Sequence, residues 1–336
     1  MKQRLTLAGL LPALLILLSG LFLASCGTGK DTSASAEQDF KAAYEKYRMS
    51  DDRMEKAALM DTFVENHPDA ETAGRAIEMV VYNRYMINED YQGALVYLDK
   101  KLGEISDSAL LKSVKLQKLD ALAELKEESA LTILAEDLLN SADGLASGER
   151  LQVLGAATRS GAWHLADKTS GMLLDNLKDS DDPYSKSAVL MQKGWILHNL
   201  GQNDEALKFF EEADFIGPRN FAGYSEYPAM ELEYQWATSL LAAGRAKEAL
   251  DKFEIRALFV KEENSDLQNS YQGLLKQAYL EAGNNESSFP AYKAERKAEL
   301  SRQVPDFSAP DSNGKTRSFS EIRGEKATLL VFWFPT

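Results

Sequence analysis

The chain has 336 residues, 38 basic against 52 acidic, and a net charge of −14, with a hydrophobic fraction of 44% that suffices for a folded core. The acidic balance disfavours nucleic acid and anionic lipid surfaces, which repel a negative protein. Cys26 is the only cysteine, so no internal disulfide can form, and His67, His164 and His198 lie far apart with no metal-ligand spacing. Neither a metal nor another cofactor is expected.

The first residues carry Lys2 and Arg4, then an apolar stretch from Leu5 to Leu23, then Leu23-Ala24-Ser25-Cys26. Pro12 and Gly20 interrupt the stretch, which argues against a buried helix or a membrane span. The pattern resembles a bacterial lipoprotein signal, with residues 1–25 as the signal peptide and Cys26 as the lipidated residue. The resemblance implies several acyl chains on the mature amino terminus, enough for stable anchoring without spanning. Residues 26–38 are small and polar and suit a flexible tether. The expected location is the bacterial cell envelope, lipid-anchored and facing the periplasm or the exterior.

Residues 39–300 are rich in Ala, Leu, Glu and Lys with apolar residues at helical spacing, so this region is predicted to be mainly α. From Leu190 to Pro218, the positions Gly194, Leu197, Gly201, Ala206, Phe210, Ala213 and Pro218 resemble a tetratricopeptide repeat in order and spacing. Gly201 suits a tight turn and Ala206 a close helix approach, while Phe209 and Phe210 supply bulk against a neighbour. A second copy carries Ala237, Leu240, Gly244, Ala249 and Phe253, and a weaker one Gln277, Leu280, Gly283 and Tyr292.

Earlier copies are more degenerate. Tyr82, Asp90-Tyr91, Ala94 and Leu98 outline one, Leu125 to Ala135 another, and Gly161, Trp163 and Ala166 the end of a third. Phe63 to Asp69 reads as the end of a second helix stopped by Pro68. Taking Ala94, Ala130, Ala166, Ala206 and Ala249 as equivalent gives intervals of roughly 36 to 43 residues, and about six helix pairs stacked as a helical-hairpin solenoid. The resemblance implies a concave face for a protein or peptide partner. Tyr85, Tyr91, Trp163, Trp195, Tyr234 and Trp236 are candidates to line it, although aromatics at helical spacing mostly pack a core. Acidic runs such as 124–128 and 179–182 read as solvated surface, and no two acids form a catalytic couple.

Residues 301–336 change character. Pro305, Pro310 and Gly314 punctuate short β-favouring pieces, Ser312-Asn313-Gly314-Lys315 signals a turn, and Leu329 to Phe334 reads as a buried strand. With Val304-Pro305-Asp306-Phe307 and Leu329-Leu330-Val331-Phe332-Trp333, the segment resembles the opening of a redoxin domain of the thioredoxin-like superfamily, so its first β-strands are expected here. In that family a cysteine follows this strand at a helix amino terminus, where the dipole stabilises the thiolate. The resemblance places it directly after Thr336, with Phe332, Trp333, Pro335 and Thr336 flanking the site.

A recoded selenocysteine or an incomplete reading frame would each explain that position. The expected complete form is therefore an envelope-anchored thiol-disulfide oxidoreductase, in preference to a peroxiredoxin-type peroxidase, with a helical-repeat region for its substrate. The sequence as written is expected to be redox-inactive. The alternative is a non-enzymatic tetratricopeptide scaffold or adaptor lipoprotein, and a glycan-binding lipoprotein is a third reading.

Overall fold

A computed structural model describes residues 32–142, 144–177, 183–216, 227–259, 265–300, 308–310, 315–318 and 321. The expected signal peptide, Cys26 and the first part of the tether lie outside the described residues, as do Leu329 to Phe334, Pro335 and Thr336. The chain divides into two units, residues 1–244 and 245–336.

The first unit holds α1 (Thr32–Met49), α2 (Arg53–Asn66), α3 (Ala73–Val80), α4 (Tyr91–Glu104), α5 (Ser108–Glu124), α6 (Glu128–Leu139), α7 (Ser147–Ser160), α8 (Trp163–Asn176), α9 (Pro183–Asn199), α10 (Asn203–Ile216) and α11 (Tyr227–Ala242). The second holds α12 (Ala246–Phe259), α13 (Ser265–Glu281), α14 (Phe289–Leu300) and the short strands β1 (Ser308–Pro310) and β2 (Thr316–Ser318). The first unit holds five helix pairs in sequence order and then α11, and the second unit holds three further helices. The fold is mainly α, a succession of tetratricopeptide-like helical hairpins.

The start of several helices follows from their caps. Asp52, Asp90 and Asp107 accept from the backbone N–H groups of Met54, Gly93 and Leu110 at 2.8, 2.9 and 2.9 Å, satisfying donors that lack an intrahelical partner. Gly93 is required for its cap, because a Cβ there would stand 2.2 Å from Asp90 Oδ2. Six of the turns between successive helices share one device, a single residue with left-handed backbone. Gly161, Gly201, Gly244 and Gly283 have φ of 86, 79, 72 and 91°, and Glu89 and Lys126 occupy the equivalent place with φ of 57 and 60°.

Counting from these residues aligns the repeats. In the helices that follow five of these turns the fourth residue is fully buried, at Ala94, Leu131, Ala166, Ala206 and Ala249, and so is the residue one turn later at Leu98, Ala135, Ser170, Phe210 and Phe253. The alignment on Ala130 is therefore corrected by one position: Ala130 is exposed and Leu131 fills the buried place. A lysine at the turn hides that register from a glycine-based reading.

Packing within the first unit follows the hairpin logic. The second helix of one pair meets the first helix of the next, as α2 with α3, α4 with α5, α8 with α9 and α10 with α11, while first helices also meet one another, as α3 with α5, α5 with α7 and α9 with α11. Asp69, in the loop after α2, accepts from the N–H groups of Ser106 and Asp107 at 2.8 and 3.1 Å and so ties two successive loops together; the Ser106 bond leads in lowering its pKa. One core of Val64, Ile77, Leu98, Leu119, Leu131, Leu154 and Leu173 runs through the unit, and a second gathers Leu190, Phe210 and Leu232.

In the second unit α12 packs on α13 and α14. Phe253 meets Tyr271 at a 4.8 Å ring separation and Tyr279 meets Tyr292 at 4.6 Å. Buried Glu254 accepts from Tyr292 Oη at 2.7 Å and Arg296 Nε at 3.0 Å, fastening α14 to α12. The strands β1 and β2 pair antiparallel, Ser308 opposite Ser318 and Pro310 opposite Thr316.

Candidate partner-binding face

Burial separates neighbouring helices in the middle of the first unit. Away from their ends, the described positions of α5, α7, α9 and α11 are buried or half-buried, whereas α6 and α10 carry fully exposed positions such as Asp137 and Glu211. A helix flanked by other helices on both sides shows only its middle to solvent. The half-buried positions there include Asp120 on α5, Leu151, Gly155 and Thr158 on α7, Met191, Trp195 and His198 on α9, and Tyr234 and Thr238 on α11.

Polar groups stitch these first helices together. Gln117, Gln152, Gln192 and Gln235 each stand nine residues before the left-handed residue of their own turn. Gln117 Nε2 donates to the Gly74 carbonyl of α3 at 3.2 Å, and Gln152 Nε2 to the Leu116 carbonyl of α5 at 3.3 Å and to Asp120 Oδ2 at 2.8 Å. Among the described residues, buried Oε1 atoms of Gln117, Gln192 and Gln235 have no partner. Arg159 of α7 reaches Asp120 at 2.5 Å and lies 3.0 Å from Glu124, so the acidic run that begins at Glu124 is partly drawn into an inter-helix ion pair. Lys193 of α9 pairs with Asp167 of α8 at 2.6 Å.

With those charges neutralised, the part of the face centred on α9 is apolar and aromatic. Trp195 and His198 stack at 4.8 Å with an 18° interplanar angle. His198 Nδ1 lies 2.8 Å from Asn203 Oδ1, and a proton on Nδ1 would leave Nε2 of the neutral ring as an acceptor. Burial lowers the His198 pKa below its ordinary value, against the opposing effect of Asn203. This face can hold apolar side chains while offering hydroxyls and ring edges to a partner's polar groups.

The six aromatics singled out in sequence divide between roles. Trp195 and Tyr234 lie on first helices at this face. Trp236, also on α11, stands half-buried 6.5 Å from Phe210 and packs against the same core cluster as Trp195, and Trp163, at the start of α8, packs against core residues. Tyr91 begins α4, and Tyr85 sits in a π-helical turn after α3. The glutamine series and the Asp120–Arg159 pair were not singled out in sequence; the constant spacing to the turn residue is the signal that would have found them. Among the described residues no group of three His, Asp or Glu side chains could hold a metal, and no helix is long and apolar enough to cross a membrane.

No family model matches the chain. No curated protein matches it either. Among solved structures, it is similar to a thermophilic tetratricopeptide-repeat protein of Thermus thermophilus, with 18% identity and a TM-score of 0.37 over 56% of this chain and 93% of that one. A tetratricopeptide repeat protein from Parabacteroides merdae gives 11% identity and a TM-score of 0.34 over 73% and 99%. The TPR2AB-domain:pHSP90 complex of yeast Sti1 gives 15% and 0.31 over 73% and 98%. Likenesses this distant carry no weight of their own, and the repeat architecture rests on the hairpin register.

Proposed function

We propose that this chain is a non-enzymatic scaffold or adaptor that holds a protein or peptide partner on the face of its first helices, displayed from a bacterial envelope membrane by lipid on Cys26. The observation that carries the reading is the half-buried run from α7 to α11, where Leu151, Thr158, Met191, Trp195 and Tyr234 are neither core nor free surface. Burying such positions against a partner adds about 25 cal/mol per Å2 of apolar area, and the ordered helices limit the entropy lost on binding.

A photo-cross-linking residue placed at Thr158 or Met191 in the producing cell tests it. One discrete protein adduct at these positions, with none at exposed Ile133, is expected. Adducts of equal yield at all three, or none, would overturn the reading. Lipidation has its own test: the amino-terminal peptide should gain the mass of a diacylglyceryl group, and Cys26→Ser should move the protein to the soluble fraction.

A second reading draws on the antiparallel β1–β2 pair, which fits the opening of a redoxin domain. In this reading a cysteine or selenocysteine follows Thr336, and the helical region presents a disulfide-bonded substrate to it. The nucleotides after the Thr336 codon decide between them. A cysteine or UGA codon followed by a C-x-x-C-like helix supports the enzyme, and another stop codon removes it.

A further inference from the structure

A second concavity lies elsewhere in the first unit, bounded by α2, the turn after α3, and α4. It is an open surface groove of about 550 Å3, lined by Asp61, Arg84, Tyr85, Val96, Tyr97 and Lys100, with Asp90, Gln92 and Gly93 at one side. That volume is of the size small-molecule sites use. The backbone beside it departs from regular helix twice: Val81–Tyr85 form a π turn, and Glu89 is left-handed without being glycine. π turns are uncommon and occur frequently at functional sites.

The hydrogen-bonding balance of the lining selects a charge. Asp61 is satisfied at both oxygens, accepting from Arg84 Nη1 at 2.7 Å and from Tyr97 Oη at 3.0 Å. Burial and then Asp61 push the Tyr97 pKa far above that of an ordinary phenol, so Tyr97 remains a donor. Asp90 Oδ1 accepts from the Gly93 N–H at 2.9 Å as a helix cap. The cations keep donors in reserve. Burial works against the Arg84 charge, yet its bonds to Asp61 and Tyr85 outweigh that and its pKa stands raised; two partners leave part of a five-donor guanidinium unused. Lys100 is 60% exposed and 3.6 Å from Glu104, a carboxylate already held at 3.1 Å by buried Lys101.

Apolar surface completes the lining. Tyr85 and Tyr97 rings lie 5.7 Å apart, and Val96 is 64% exposed, one helical turn from Lys100. We propose that this groove binds a small monocarboxylate with an apolar body, the body against Tyr85, Val96 and Tyr97 and the carboxylate on Lys100 and Arg84. The proposal stands apart from the partner-binding face and does not depend on it.

The test uses the full chain and two probes of equal shape, 4-phenylbutyrate and 4-phenylbutanamide, titrated by calorimetry at low salt. The acid should bind and the amide should bind at least about tenfold more weakly, since only the acid makes charge-assisted hydrogen bonds. Lys100→Glu and Val96→Asp should each weaken the acid about tenfold while leaving the helical circular dichroism unchanged, because both side chains are exposed. Arg84 is left intact, since its loss would strand Asp61. No binding of the acid at about 1 mM, equal binding of acid and amide, or an unaltered affinity in Lys100→Glu would each overturn the proposal.

Discussion

Gly194 tests the helix packing at the best-formed repeat. A Cβ built on it would stand 2.7, 2.8 and 3.0 Å from three carbons of the Phe210 ring. Ordinary carbon contacts are about 3.5–4.0 Å, so the ring would have to retreat by roughly 1 Å. It has little room to do so: Phe210 is fully buried and stacks with Trp236. Overpacking of this kind costs about 1–3 kcal/mol, and the better helix propensity of alanine returns about 1 kcal/mol. Gly171, inside α8, has nothing within 4 Å of its built Cβ and supplies the control. In urea denaturation followed by circular dichroism, Gly171→Ala should gain up to about 1 kcal/mol and Gly194→Ala should fall about 1–3 kcal/mol below it. Combining Gly194→Ala with Phe210→Leu should recover part of that gap. Equal stabilisation by the two alanines would refute the close approach of α9 and α10.

Three further outcomes follow from the turns and the second unit. Glu89→Gly should raise the unfolding free energy from urea denaturation by up to about 1 kcal/mol, because left-handed backbone costs a non-glycine residue about 1–2 kcal/mol and glycine's extra unfolded entropy cancels only part. Gly201→Ala should lower stability by about 1 kcal/mol for the converse reason, and opposite signs in both experiments would contradict the shared turn. Glu254→Gln should cost about 1.5–3 kcal/mol at neutral pH, the range for hydrogen bonds to a charged group. Burial opposes ionisation of Glu254, but Arg296 and Tyr292 prevail and hold its pKa below the ordinary 4.5. The stability it contributes is therefore present above that value and lost as pH falls through the lower folded pKa. The gap between wild type and Glu254→Gln should close on acidification below about pH 4.5, and a gap independent of pH would count against the ion pair.

The hairpin architecture was legible wherever a glycine marked the turn. Gly161, Gly201, Gly244 and Gly283 announce left-handed backbone, and after the first three the buried alanines Ala166, Ala206 and Ala249 follow five residues later. Glu89 and Lys126 perform the same turn with side chains that ordinarily disfavour it, so the hairpins they close read as degenerate, and exposed Ala130 stands in the sequence reading where Leu131 fills the buried place. Lys126 has a compensating contact, its Nζ donating to the Arg159 carbonyl across the sequence, which local propensity does not reveal. The glutamine series escaped notice for a related reason. Glutamine carries no strong turn or core signal, and its meaning at 117, 152, 192 and 235 appears only once the turn residues are aligned. The π turn at Val81–Tyr85 adds a residue to the helix and breaks the 3.6-residue period on which pattern reading depends. Trp195 and Trp236 both stand half-buried against the same core cluster, as aromatics at helical spacing commonly do.

The most direct measurement is the affinity of the cross-linked partner, once purified, for wild-type chain and for Met191→Glu by isothermal titration calorimetry. A charge buried at the centre of an apolar contact is predicted to weaken binding at least tenfold, with helicity unchanged, while Ile133→Glu on exposed α6 surface leaves the affinity as it was. Equal affinities for wild type and Met191→Glu, or a loss confined to Ile133→Glu, would contradict a partner held on the face of the first helices.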